Sequence, residues 1–207
     1  MTAATVSPTA ETIAPGEHVP TADHRVVLHG MPWSHFEVFL ALRGDAAGPR
    51  IAYLAGELEL MSPSRDHERL KSFIGRLIEA YAMDRGLDLS PYGSWTLKQP
   101  SKEAGAEPDE CYIIGADQQK DAPDLVIEVA WTRGGLDKLE IYRRLGIREL
   151  WLWESNVIQI YLRGPQGYER SASSACFPEL DTNLLTSFLD RPTVLQAVRA
   201  FRQALAG

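Results

Sequence analysis

Ala122-Pro-Asp-Leu-Val-Ile-Glu-Val-Ala130 is the stretch on which the fold turns. Its apolar run has the length of a β-strand, and side chains along a strand alternate between two faces. Asp124, Val126 and Glu128 therefore share one face, and Leu125, Ile127 and Val129 the other. A run this apolar predicts a central strand. A glutamate inside such a strand loses its hydration and needs a partner. That partner is either a divalent cation or the side chain of a Lys or Arg.

Both flanks of this strand carry chemistry. Downstream, Lys138, Ile141, Tyr142 and Leu145 stand at i, i+3, i+4 and i+7. This spacing predicts a helix over 135–145, stopped by Gly146, with a lysine on the first turn of its apolar face. Glu140, Arg143 and Arg144 fall on the outward face. One short connection separates the helix from Glu128, so Lys138 can reach back to the strand end; a snorkelling lysine or a simple Lys138–Glu128 ion pair is the plainer alternative. Upstream, Ala106-Glu-Pro-Asp-Glu-Cys-Tyr112 places Asp109 just ahead of a short predicted strand, 110–114, able to pair beside 124–130. Two carboxylates from neighbouring strands and one lysine suit metal-dependent phosphodiester hydrolysis. The carboxylates hold a hard cation through oxygen, and the ammonium neutralises charge on the phosphate.

The rest of the chain frames this pattern. Residues 1–24 are rich in Ala, Thr, Pro and Glu without apolar period, and read as a mobile tail before a single domain over 25–207. Ser34 and Glu37 match a capping box, which predicts a helix over 34–43. Residues 51–61 read as a hairpin turning at Gly56. Ser62-Pro63-Ser64 opens a long helix to Arg85, with Leu70, Phe73, Ile74, Leu77, Ile78 and Tyr81 as its buried stripe and His67 at that stripe's edge. Strands are expected at 91–98, 149–153, 157–162 and 168–171. A last helix is expected over 192–206, with Pro192 in its first turn. The order predicts an α+β domain, a central mixed β-sheet flanked by helices.

Composition excludes several classes. No apolar run approaches a membrane span, and the N-terminus lacks the basic start and apolar centre of a signal peptide, so a cytoplasmic protein is expected. Cys111 and Cys176 make neither a disulfide framework nor a four-ligand zinc site. The net charge of −7 argues against coating nucleic acid by bulk charge, though not against a locally basic site.

The combination Glu-Pro-Asp109, Pro-Asp-Leu-Val-Ile-Glu128-Val, Lys138-Leu-Glu-Ile-Tyr142 and Leu-Gly-Ile-Arg-Glu-Leu-Trp151 resembles the Uma2 family, also called DUF820, of the PD-(D/E)XK superfamily. Gly56-Glu-Leu-Glu-Leu-Met-Ser-Pro63 and the following His67 extend the resemblance, which spans about residues 30–165. It implies a restriction-endonuclease-like core in which Asp109 is the motif aspartate and Glu128 the second acid. Ala130 stands where a simple motif has its lysine, and Lys138 matches the lysine that the family draws from the following helix. His67 or Glu68 matches an accessory position on the first core helix.

The expected function is a Mg²⁺- or Mn²⁺-dependent endonuclease acting on DNA, with Asp109 and Glu128 as metal ligands and Lys138 assisting. Asp124 is a candidate third carboxylate, and Arg143, Arg144 and Arg148 are candidate phosphate contacts. A homodimer is expected for a cutter of both strands. The alternatives are a non-catalytic binding or assembly module on the same fold, or a hydrolase of small phosphoesters. Glu107 reads as a solvated loop residue, and Lys98 either supports the site or decorates an edge.

Overall fold

The computed structural model describes residues 20–132 and 134–206. The first half runs β1 (His24–Leu28), α1 (Trp33–Arg43), β2 (Arg50–Leu54), β3 (Glu57–Ser62), α2 (Arg65–Arg85), β4 (Leu89–Pro91), β5 (Leu97–Gln99) and β6 (Ala104–Ala106). The second runs β7 (Glu110–Ile114), β8 (Leu125–Val129), α3 (Lys138–Leu145), β9 (Glu149–Glu154), β10 (Val157–Gly164), β11 (Gly167–Ser171), α4 (Thr182–Thr186) and α5 (Val194–Ala206).

The fold is α+β, and its strands divide into two sheets rather than one. The first is antiparallel, in the order β1-β3-β2-β6-β5. The second has the order β11-β10-β9-β8-β7-β4 and is mixed: β8 and β9 run parallel, joined across α3. As expected, β8 is central and buried throughout. Leu125, Ile127 and Val129 pack against α2 and α5 with Phe73, Leu77 and Phe201. Val126 faces the other way, into a core shared with Ile141 and Tyr142 of α3 and with Ala52 and Ala106 of the first sheet. The second sheet therefore lies between α2 and α5 on one side, and α3 and the first sheet on the other. Helix α1 covers the outer face of the first sheet through Phe36, packed on Ile51, Tyr53 and Leu58.

Several local expectations change. The strand expected over 91–98 is two strands in two sheets. Pro91 lacks a donor to continue the ladder, and Gly93 at φ 57° turns the chain toward β5. Helix α1 has no capping box: Pro32 is its N-cap, with no side-chain hydrogen bond there. Pro192 precedes α5 instead of sitting in its first turn. Strands β1 and β6 and helix α4 carry no sequence period strong enough to announce them. Of the expected tail, residues 1–19 lie outside the described residues. Residues 20–24 depart from it, because Thr21 donates its backbone N–H and hydroxyl to Asp66 Oδ2 at 2.6 and 2.8 Å. The Asp23 side chain is also fully buried.

Buried carboxylates tie loops to the sheets. Glu149 on β9 accepts from Trp151 Nε1 at 2.6 Å, Ser174 Oγ at 2.5 Å, and the backbone N–H groups of Ala175 and Cys176, both at 2.9 Å. Four donors satisfy one anion, which is what permits its complete burial.

Candidate functional site

The alternation of β8 aims Glu128 at α3. Tyr142 OH donates to Glu128 Oε1, and Lys138 Nζ lies 3.4 Å from the same oxygen. Burial, reinforced by the adjacent Glu128 carboxylate, pushes the Tyr142 phenol well above its ordinary pKa, so it remains a hydrogen-bond donor. Asp137 caps the helix by accepting from Glu140 N at 3.0 Å, so α3 starts at Lys138 instead of 135. Lys138 is consequently the first helical residue, next to the end of β8.

Asp109 joins this group through the backbone. Its Oδ2 accepts from Val129 N at 2.6 Å, which locks it to the residue after Glu128. Its Oδ1 faces His67 Nε2 at 2.9 Å and pairs with Arg50 Nη1. Among the described residues this oxygen finds no hydrogen bond of good geometry. His67 sits in the first turn of α2, whose cap Ser64 accepts from His67 N. Its Nδ1 lies 3.1 Å from Asp23 Oδ2. Burial holds the His67 imidazole below its ordinary pKa, although Asp23 pulls the other way. Burial would raise the Asp23 carboxyl, but the Ser64 N–H and His67 together hold it below its ordinary value. Glu68 lies at the rim, paired to Arg50 at 2.6 Å and Lys71 at 2.7 Å; these cations outweigh burial and lower its pKa.

A third buried acid lies alongside. Glu59 on β3 is 1% exposed, accepts from Leu136 N at 3.0 Å and pairs with Arg25 Nε at 3.2 Å. It thereby fastens the 130–137 connection, which delivers Lys138, to the first sheet. Arg25, Glu59, Glu128 and Lys138 line a cavity of about 50 Å³. Gly135 runs through this clasp at φ 95°, and a Cβ there would collide with Glu59 Oε2. Gly135→Ala is expected to cost about 1–3 kcal/mol, measurable as a shift in urea midpoint.

Asp109, Glu128, Lys138, His67 and Glu68 thus lie together. The other candidates do not join them. Asp124 shares a strand face with Glu128 but sits about 13 Å away along the chain. There it takes Lys120 at 2.6 Å, Arg148 and the Ile114 N–H at 2.8 Å. Asp124 therefore lies apart from the cluster, and Arg148, a candidate phosphate contact, sits beside Asp124 with its side chain 72% exposed. Arg143 and Arg144 lie on the outward face of α3, each bonded to Glu140 at 2.7 Å. They line a shallow depression with Lys102 and Arg163. Lys98 decorates an edge, paired to Glu37 at 3.1 Å. Glu107 is buried, not solvated. It pairs with both arms of Arg43, accepts from Ile51 N at 3.0 Å, and from Thr96 Oγ1 at 2.8 Å.

Arg50, Asp23, Glu59 and Arg25 were missed by sequence reasoning. The one signal for Glu59 was its place in the alternating Glu57-Leu-Glu-Leu60 run, which put it on the polar face. The two thiols take no part in the cluster. Burial pushes Cys111 up to about 12 and raises Cys176 further. Neither is expected to react with iodoacetamide at pH 7.5 until the protein is unfolded, as mass spectrometry would show.

The crystal structure of "a putative nuclease belonging to DUF820" from Anabaena variabilis matches with a TM-score of 0.43 and 14% identity, covering 80% of this chain and 98% of that one. No curated protein matches the chain. The family model Uma2, described as "Putative restriction endonuclease", matches residues 36–192. That span includes Arg50, His67, Asp109, Glu128 and Lys138 and most of the chain, which belongs to the Uma2 family.

Proposed function

We propose that the protein is a divalent-metal-dependent endonuclease that hydrolyses phosphodiester bonds in DNA, with Asp109 and Glu128 holding the ion and Lys138 assisting. The observation that carries this reading is the junction of Asp109 Oδ2 with the Val129 N–H, which sets a buried carboxylate at the entry to β7 and another on the neighbouring β8 beside a lysine. Their donor chemistry fits a hard cation. Asp109 Oδ1 is buried without a well-formed hydrogen bond, and Glu128 borders the cavity that Lys138 also lines. Among the described residues, no three acidic, His or Cys side chains are gathered tightly enough to enclose an ion. Mg²⁺ and Mn²⁺ can bind through one or two carboxylates and keep several waters.

A bound divalent ion supplies Lewis-acid stabilisation of charge on the phosphate. The chain's own residues do the rest. Tyr142 holds the Glu128 carboxylate in one rotamer, and the Val129 N–H does the same for Asp109. Lys138 brings a fixed positive charge to the cavity, where low dielectric strengthens its effect on a phosphate oxygen. Arg143, Arg144, Lys102 and Arg163 offer a separate basic surface for backbone phosphates. Cleavage of both strands calls for two copies, so a homodimer is part of the proposal; sedimentation tests it. Among the described residues no helix is long and apolar enough to cross a membrane.

Arg50 favours a second reading. It neutralises Asp109 without any metal, as a non-catalytic module on this fold would require. Incubation with supercoiled plasmid, with and without Mg²⁺ or Mn²⁺, separates the two. Metal-dependent nicking or linearisation is expected. No cleavage of duplex or single-stranded DNA under either metal would overturn the nuclease reading.

A further inference from the structure

Arg50 opens β2 and is 7% exposed. Its guanidinium cannot shed its charge, so it must be neutralised where it stands. One arm, Nη1, pairs with Asp109 Oδ1 and lies 3.4 Å from His67 Nε2. The other, Nη2, reaches Glu68 Oε1 at 2.6 Å. Asp23 Oδ2 lies 3.1 Å from His67 Nδ1, and a proton held on that nitrogen leaves Nε2 as an acceptor beside Asp109 Oδ1. In that tautomer, two acceptors 2.9 Å apart are served by one buried cationic arm. The oxygen at the centre belongs to the same carboxylate that the proposed function assigns to the divalent ion.

We propose that Arg50 is an internal cation that competes with the divalent ion for Asp109, so that the ion binds by displacing the guanidinium. The inference rests on reading Asp109 as a metal-holding group. The displaced arm is not stranded, because Glu68 at the half-exposed rim keeps the other arm paired. Once off Asp109, the free edge of the guanidinium fits a phosphodiester, whose oxygens it binds as a fork. Ion and phosphodiester then favour the same displaced arrangement. Each must tighten the other's binding by the same factor. The site is accordingly a weak metal binder alone and a stronger one with nucleic acid present.

Calorimetry on the full chain tests this, with Ca²⁺ and Mn²⁺ as probes and a short duplex added in the Ca²⁺ experiments. Arg50→Met is expected to bind either ion about tenfold more tightly than the native protein. Its melting temperature should fall without metal and recover with it. The native protein should bind the duplex more tightly with Ca²⁺ present, and Arg50→Met should lose most of that coupling. Equal or weaker ion binding by folded Arg50→Met overturns the proposal; if Asp109→Asn still abolishes ion binding, the metal reading of Asp109 survives alone. Absence of ion binding by every form overturns both. Should Arg50→Met not fold, the native protein decides through the Arg50 Nε–H resonance. A shift on saturation with Ca²⁺ supports displacement, and an unmoved resonance overturns it.

Discussion

Glu128→Gln should lower metal-dependent plasmid cleavage by about a thousandfold, equivalent to ~4 kcal/mol of transition-state stabilisation. The substitution keeps the shape of the side chain and its acceptor for Tyr142 OH, so the packing of α3 on β8 is retained. What it removes is the negative charge, which a hard cation requires and a carboxamide supplies poorly. Stability should change little, because the buried anion is lost along with its desolvation penalty while Lys138 keeps partial access to water. A large loss of cleavage with an unchanged urea midpoint is therefore the signature of a functional carboxylate. Native cleavage rates in the folded variant would remove Glu128 from the site. Lys138→Met adds a second axis: cleavage should fall by roughly a hundredfold while calorimetric ion binding persists, since in the proposed function the lysine acts on the phosphate and not on the ion.

The largest effect on stability is expected at Glu107. Glu107→Ala should lose about 3–5 kcal/mol in urea denaturation. The carboxylate anchors α1 through Arg43, the start of β2 through Ile51 N, and the approach to β5 through Thr96. Removing it leaves the Arg43 guanidinium, whose side chain is 15% exposed, without its anion. It also leaves a buried backbone N–H with no acceptor. Replacing both partners, as in Arg43→Met with Glu107→Leu, should restore the part of the loss due to the uncompensated charge, while the Ile51 N–H stays without its acceptor. Since Ile51 follows Arg50 and loses its acceptor in both variants, both should also loosen Arg50 against Asp109.

Much of the site was legible because its informative residues lie in locally patterned sequence. The alternation around Glu128 fixes its face, and the 3.6-residue period puts Lys138 and Tyr142 on the inward side of α3. The order Asp109, Glu128, Lys138 ahead of one strand, on the next and on the following helix points to the chemistry, and the longer motifs around these residues carry the resemblance to the family. Asp124 shows the limit of that logic. Period alone places it with Glu128, yet the strand is long enough to separate them, and Lys120 and Arg148 claim the far end. Glu107 shows the converse: nothing in Ala-Glu-Pro-Asp distinguishes a solvated glutamate from a buried one.

From the sequence alone follow the α+β class, the central strand, the helix that returns a lysine to it, and the pair of carboxylates. These depend on short-range periodicity and on neighbours within about 30 residues. Tertiary structure alone decided that the strands form two sheets, and that Arg25, Arg50 and Glu59 from the first sheet close over the carboxylates of the second. It also decided that Asp23, 44 residues before His67, orients that ring. A charged residue looks the same in sequence whether water or a distant strand surrounds it. Its burial, its partner and the chemistry open to it are set by whichever segment packs against it, and that choice belongs to the fold as a whole.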